Sequence, residues 1–361
     1  MISDTYRDGR QRKGIRREHA ISTARISDVP VIDITPFRTG TDPASVAAAV
    51  DRAATHVGFM QIVGHGIPTS ATAALSEAMD AFFGLPLEEK LATRPSSSSI
   101  NRGYSARKTE RLSHSLGVYS PDDLFEAFNF GSQAADYPML DLPTELYAAN
   151  LWPGGVPVPG LTEWFTHAGS LARTMTEIFA LALDLPRDYF RAYQHHSIDV
   201  LRLNNYQVPP DDTVLEPGQV GMGAHTDFGI VTILWADAVR GLQILDDEGA
   251  WHDVVPAEGA LLINLGDLLA RWTNDRWIST MHRVLAPVDD DGRLYRRRSA
   301  AYFHDGDHDA VIRALPGTGE ARYEPTTVAE HLAQKLAGSR GLRLNTSAER
   351  EASRLLGTGR Q

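Results

Sequence analysis

The chain contains no cysteine, which excludes disulfides and any metal site built on thiolates. Lysine is scarce: Lys13, Lys90, Lys108 and Lys335 are the four in a chain whose other basic residues are arginines, a bias that suggests a GC-rich bacterial genome. No apolar run approaches membrane-spanning length, and the first residues lack the apolar core of a secretory signal. A cytoplasmic protein with no membrane partner is therefore expected. Net charge is -11, an excess of acid that argues against binding a phosphate backbone. The expected partner is a small molecule and not nucleic acid; nothing in the composition indicates an oligomeric state.

What is present suffices for a sizeable core, since 42% of the 361 residues are hydrophobic and β-rich enzymes of this length can form one domain. Residues 1–28 are polar and arginine-rich and read as a flexible arm. A helix is predicted after Asp42-Pro43, with Asp as N-cap and Pro at the first helical position. Its inner face is Val46, Ala49, Val50 and Ala53, and Gly58 lies past its end. A second helix is predicted from Thr69 to Phe82. Residues 92–121, with the run Ser96 to Ser99, read as a long mobile connection. Leu161, Phe165, Ala168, Leu171, Met175, Ile178 and Leu181 are spaced by threes and fours and mark a long helix that braces a sheet.

From about residue 198 to 305 the pattern changes to short apolar runs between Pro, Gly and Asp clusters. Val231 to Trp235 and Leu261 to Leu265 are two such runs, and their density predicts a double-sheet jelly roll. A last helix follows the capping box Thr327-Val328-Ala329-Glu330 and ends near Gly338; residues 339–361 read as a loosely held tail. The chain is thus divided into an arm (1–28), a helical and strand support region (29–190), a jelly-roll core (191–310) and a C-terminal helix and tail (311–361). Residues from about 29 to 340 are expected to form one integrated unit.

Three side chains carry the chemistry. In an extended strand residues i and i+2 share a face, so His225 and Asp227 aim at one point with Thr226 turned away. His282 lies in Trp277 to Val284, a stretch of strand-like content that can arrive from a neighbouring strand. Two imidazoles and a carboxylate suit Fe(II) and leave coordination positions open, whereas structural zinc uses four ligands. Two further alternations have a pocket's polarity. Arg202, Asn204 and Tyr206 share one face of a strand whose leucines take the other, and Arg297 and Ser299 repeat the spacing. A guanidinium beside a hydroxyl and a phenol is suited to hold a carboxylate.

Together these residues resemble the isopenicillin N synthase-like family of Fe(II)/2-oxoglutarate-dependent oxygenases. The resemblance also runs through Val31-Ile32-Asp33, the segment Gly58 to Ile67, Asp123 to Gly131, Leu203 to Tyr206, Gly223 to Gly229, Thr273 to Trp277 and His282-Arg283-Val284, in order. It implies a mainly β fold with flanking helices around a double-stranded β-helix core, jelly-roll and cupin-like. It implies His225, Asp227 and His282 as iron ligands. Arg297 and Ser299 would grip the distal carboxylate of 2-oxoglutarate, assisted by Tyr206, with Asn204 near its other end. An enlarged turn at Asp289-Asp290-Asp291-Gly292 leaves Arg296, Arg297 and Arg298 as alternatives, of which Arg297 keeps the i, i+2 relation to Ser299.

The implied enzyme is a non-haem dioxygenase using Fe(II), 2-oxoglutarate and O2 to oxidise a C–H bond of a small organic substrate. Hydroxylation in bacterial specialised metabolism, with release of succinate and CO2, is the expected outcome. A desaturase or ring-forming oxidase, including one independent of 2-oxoglutarate, is the alternative within the family. A non-catalytic metal or small-molecule binder on the same fold is the alternative outside it. If Arg297 and Ser299 face a cavity, Ala301 and Phe303 follow them, which makes Phe303 a candidate substrate contact. Arg102, Tyr104 and Phe128 are further candidates for the same wall.

Overall fold

A computed structural model describes residues 29–97, 99–207, 218–286 and 295–339. The expected arm, the turn at 289–292 and the tail beyond Ser339 lie outside the described residues. In chain order the helices are α1 (Thr35–Thr39), α2 (Pro43–His56), α3 (Thr69–Phe83), α4 (Leu87–Leu91), α5 (Val158–Ala182), α6 (Asp267–Trp272) and α7 (Val328–Ser339). The strands are β1 (Val31–Asp33), β2 (Phe59–Val63), β3 (Gly103–Ser105), β4 (Glu126–Gly131), β5 (Val200–Tyr206), β6 (Met222–His225) and β7 (Val231–Ala236). They continue with β8 (Leu242–Leu245), β9 (Trp251–Asp253), β10 (Leu261–Leu265), β11 (His282–Val284), β12 (Arg297–His304), β13 (Val311–Ile312) and β14 (Thr326–Thr327).

Eight strands form one sheet in the order β1-β2-β10-β7-β12-β5-β4-β3, and four form a second in the order β6-β11-β8-β9. Within these two sheets all pairings are antiparallel except that of β1 with β2. The two sheets are those of a double-stranded β-helix, the jelly-roll architecture that the strand density predicts.

The pleat sends alternate residues of the large sheet to two destinations. Leu201, Leu203, Ile233, Ile263, Ala300 and Tyr302 enter a core shared with α2, α3 and α5. Their neighbours Arg202, Asn204, Thr232, Asn264 and Ser299 face a cavity on the other side. The long helix α5 carries the expected stripe and adds Trp164, which is fully buried; burying each such side chain contributes roughly 1.5–3 kcal/mol. Phe165 meets Tyr302 of β12 edge-on at 5.0 Å, so the helix braces the strand behind the cavity.

Local signals set several boundaries. Asp42 caps α2, its carboxylate accepting from Ser45 N–H at 3.1 Å. Gly58 follows at φ 69°, where a side chain would strike the Ile278 carbonyl and the Thr280 hydroxyl, and the chain turns there into β2. At α7, Glu330 accepts from Thr327 N–H at 3.0 Å and Glu330 N–H donates to Thr327 Oγ1 at 3.2 Å, closing the predicted capping box.

Two expectations fail. Residues 92–121 are not a structureless connection: β3 and a 3₁₀ turn at Leu112–Leu116 lie within them, and Glu110, Ser113, His114 and Ser115 are buried. Their polarity reads as loop, yet the fold supplies buried partners, as where Glu110 accepts from Arg202 at 3.0 Å and Ser115 Oγ donates to the Leu112 carbonyl at 2.7 Å. Strand content between Trp277 and Val284 is confined to His282–Val284. Trp277 instead packs against Phe179 of α5, and its indole N–H donates to Asp51 at 2.8 Å. Among the described residues no helix is long and apolar enough to cross a membrane.

Candidate functional site

β6 ends on His225 and β11 begins on His282, and antiparallel pairing sets the two opposite each other. Their ring centroids are 4.2 Å apart. Asp227 lies just beyond β6, so strand alternation alone does not aim it. The turn does, held where Asp267 N–H donates to the Asp227 carbonyl at 2.8 Å. Asp227 Oδ1 then stands 3.8 Å from His225 Nε2 and 3.7 Å from His282 Nε2. All three side chains are buried, and one ion can reach their ligand atoms, which fall within 4.8 Å of one another.

Each group is oriented by a second contact. His225 Nδ1 lies 2.8 Å from the Gly223 carbonyl and His282 Nδ1 3.1 Å from the Thr280 carbonyl. A carbonyl only accepts, so Nδ1 carries the proton and each Nε2 lone pair faces the centre. Burial first, and the neighbouring His282 second, hold the His225 imidazole well below its ordinary value, which favours the neutral form that can ligate. Asp227 Oδ2 accepts from Asn264 Nδ2 at 2.5 Å and from the Thr232 hydroxyl. That leaves Oδ1 for a metal. Two imidazoles and one carboxylate, with no thiolate, fit Fe(II) with open positions.

Arg297 pairs with Tyr206 across β12 and β5, and Ser299 with Asn204, so all four reach the same cavity wall. Asn204 Nδ2 donates to Ser299 Oγ at 3.4 Å. Arg297 is 2% exposed, and its Nε and Nη1 have no hydrogen-bond partner among the described residues. Two buried, unanswered donors on a guanidinium fit the carboxylate of a bound acid. Arg296 and Arg298 are spent elsewhere, on Asp80 at 2.6 Å and on Asp237 at 3.1 Å.

The cavity encloses about 1000 Å³, its mouth included, and Phe303 and Ala301 continue the wall beyond Ser299. Arg102, Tyr104 and Phe128 are not brought to it. Tyr104, Phe128 and Leu203 are successive register partners and so share the helix-facing side, where Phe128 packs on Phe82 at 4.3 Å. The Tyr104 hydroxyl donates to Glu126 at 2.6 Å, and Arg102 donates to the carbonyls of Asn101 and Ser132.

Several lining residues went unnoticed in the sequence: Asn101, Glu110 and Leu112 from the segment read as mobile, Leu332 and Leu336 from α7, and Asn264. Asn264 had a signal, as the lone polar residue of an apolar strand. Leu332 and Leu336 had another, the i, i+4 spacing of one helix face.

The family model for the "non-haem dioxygenase in morphine synthesis N-terminal" region matches residues 29–155, and that for the "2OG-Fe(II) oxygenase superfamily" matches residues 197–306. The 2-oxoglutarate-Fe(II) type oxidoreductase hxnY of Emericella nidulans is 36% identical over 313 residues, covering 83% of this chain and 86% of that protein. Validamycin A dioxygenase of Streptomyces hygroscopicus subsp. limoneus is 34% identical, with 85% of each chain covered. Among solved structures, a full-length Neurospora crassa protein in complex with alpha-KG and 5-formyluracil superposes with a TM-score of 0.74 at 30% identity, covering 86% of this chain and 96% of that one.

Proposed function

This chain belongs to the 2OG-Fe(II) oxygenase superfamily of non-haem iron dioxygenases, and from that premise we propose that it hydroxylates a C–H bond of a small organic substrate in bacterial specialised metabolism. Its cofactor is Fe(II), with 2-oxoglutarate and O2 as cosubstrates. In this reading His225, Asp227 and His282 hold the iron. Arg297 and Ser299 grip the distal carboxylate of 2-oxoglutarate, assisted by Tyr206, with Asn204 near its other end. When bound, iron and 2-oxoglutarate supply an oxidant made from O2 as the cosubstrate loses CO2 and becomes succinate.

The observation that carries the reading is Arg297, whose two unanswered nitrogens share one cavity with the three ligand side chains. An oxidase that dispenses with 2-oxoglutarate would leave this buried cation without its anion, at a cost of several kcal/mol. The protein's own part is to orient and to exclude water. Phe59, Leu234, Leu242 and Val284 line the cavity with the polar groups, and such a dry setting strengthens the electrostatic grip on the cosubstrate. Phe228 and Phe303 offer apolar contact to a substrate, and Glu110 with Arg202 offers a polar end. The bacterial setting is supported by the scarcity of lysine and by the Streptomyces relative.

The test is a small-molecule screen with Fe(II), 2-oxoglutarate and isotopically labelled O2. One succinate per oxygenated product, with label in the product, is the expected result. Product formed without succinate, or a desaturated product without label, would overturn the reading.

A further inference from the structure

A second group of metal-binding side chains stands outside the cavity, where the chain enters β5 and leaves β12. Apart from the buried triad, His196, His308 and Asp309 are the one set among the described residues whose ligand atoms fall within 4.8 Å of one another. His196 Nε2 is 3.5 Å from Asp309 Oδ1, and His308 Nδ1 is 3.8 Å from it. These separations are no looser than the 3.7 and 3.8 Å within the buried triad. Zinc bonds of roughly 2.0–2.2 Å to imidazole and carboxylate place tetrahedral ligand atoms about 3.4 Å apart, so each imidazole stands within a few tenths of an ångström of that spacing from Asp309, and the two imidazole nitrogens lie within 4.8 Å of each other.

The two rings are already held. Asp307, whose side chain is buried, accepts from the backbone N–H of His195 at 3.0 Å and of His196 at 2.6 Å. Its Oδ1 also lies 2.9 Å from His196 Nδ1. Through these two backbone bonds the Asp307 carboxylate fixes the segment that carries the His196 ring. Tyr147 holds the His308 ring edge-on at 5.6 Å, with its hydroxyl 3.3 Å from His308 Nδ1, and must yield that nitrogen to a bound ion. The histidine side chains are 15% and 19% exposed, and Asp309 is 66% exposed. The rings are half-sunk with an open side, by which an ion can enter. None of the three residues lines the large cavity.

We propose that His196, His308 and Asp309 form a second site, for a divalent transition ion of zinc's class, with water completing the coordination. Imidazole and carboxylate without thiolate suit such an ion. The bound ion ties the segment entering β5 to the segment leaving β12, the strands that carry Asn204, Tyr206, Arg297 and Ser299. Asp307 acts as a positioning residue.

The test uses the full chain with the buried site disabled by His225→Ala and Asp227→Ala, dialysed against Zn2+ and assayed for retained zinc. One zinc per chain is expected, falling to none when His308→Ala is added. Asp307→Asn should keep the stoichiometry and weaken the affinity by about 10–100-fold. In the otherwise unaltered protein, His308→Ala should leave iron-dependent turnover unchanged; in the disabled background it should abolish the rise in melting temperature that saturating zinc produces on binding the folded state. Absence of retained zinc in the disabled background, or equal retention and an equal thermal shift with His308→Ala, would overturn the proposal and leave the cluster a set of surface ion pairs.

Discussion

Lys335 Nζ lies 2.8 Å from Asp267 Oδ2, and Thr226 Oγ1 donates to the same oxygen at 3.0 Å. Thr226 is the residue between His225 and Asp227, so one buried carboxylate ties the C-terminal helix α7 to the loop that carries two of the proposed ligands. Burial raises the Asp267 carboxyl, but the charge of Lys335 leads a set of contacts that outweighs it and holds the group below the usual carboxylate range. Because α7 also supplies Leu332 and Leu336 to the cavity, the latch couples the wall of the substrate space to the metal end.

Removing the cation should therefore do more than loosen a surface helix. Lys335→Met leaves the buried Asp267 carboxylate without its cation, a loss on the order of 3–5 kcal/mol, and should raise the substrate KM several-fold. Adding Asp267→Asn should recover part of the stability, since the two effects are not additive. Denaturant unfolding of the single and double variants measures this. Additive losses, or a Lys335→Met midpoint equal to that of the unaltered protein, would show that the contact latches nothing.

The same helix carries a pH dependence. Burial, the largest influence, pushes His331 down to about 4 from its ordinary 6.5. Between those values the unfolded chain binds a proton that the folded chain refuses, so stability is full above pH 6.5 and is lost as pH falls toward 4. The loss is at most about 3 kcal/mol. His331→Gln should flatten the stability profile by about one proton across that window. Measurements belong at saturating iron, where His225 is engaged; an unchanged slope would place the acid sensitivity elsewhere.

Under the proposed triad, iron retention should depend on the aim of the three side chains as well as on their presence. His225→Ala and Asp227→Ala should each abolish tight Fe(II) binding and turnover, whereas His252→Ala, which removes a ring paired with Asp246 at 2.6 Å on the second sheet, should not. Asn264→Ala leaves all three proposed ligands but removes one of the two donors to Asp227 Oδ2, and it should weaken iron by about 10–100-fold. Anaerobic titration distinguishes these cases. Wild-type affinity in Asp227→Ala would remove the triad assignment altogether.

The clamp separates neighbours in sequence. Arg297→Ala should raise the 2-oxoglutarate requirement at least about a hundredfold, the effect of breaking a buried pair worth roughly 3–5 kcal/mol, with little change in iron affinity. Arg298→Ala should leave that requirement near normal, because Arg298 turns outward to Asp237 and Asp80. A larger defect in Arg298→Ala would move the clamp by one residue and break the register on which its placement rests.

Period-two alternation made β5, β7, β10 and β12 legible, because one face of each strand is apolar core and the other carries the polar residues of a cavity. The helices were legible through caps and threes-and-fours spacing, as at Asp42, Thr327 and the α5 stripe. What alternation cannot express is which chain lies across the cavity. Glu110 and Leu112 sit in a segment whose polar composition reads as a mobile connection, and their partners, Arg202 for the one and an apolar cluster with Phe125 and Met222 for the other, come from other parts of the chain. Phe128 fails for the converse reason: an aromatic near a binding segment carries no mark of its face, and its pairing with Leu203 turns it toward the helices. Asp227 faces the two imidazoles through a turn and not through the strand alternation that the sequence suggests.

Of the four candidate substrate contacts, Phe303 is the one that lines the cavity among the described residues. It shares the cavity-facing side of β12 with Arg297, Ser299 and Ala301, and lies roughly 20 Å along a straight strand from Arg297. Its register partner on β7 is Thr232, whose hydroxyl donates to Asp227. The ring is thus one strand away from a residue that touches a proposed ligand, at the opposite end of the wall from the guanidinium. It is only partly buried, unlike Tyr302 beside it, which is sealed in the helical core at 1% exposure. A ring confined to packing has no need of the open side. Phe303→Leu keeps an apolar side chain and should preserve folding, iron binding and 2-oxoglutarate affinity. It should release succinate that is no longer matched by oxidised product, because a loosely placed substrate lets the cosubstrate react unproductively. The ratio of succinate to product measures this directly. A well-folded Phe303→Leu protein with the original ratio and the original substrate KM would assign the ring to packing alone.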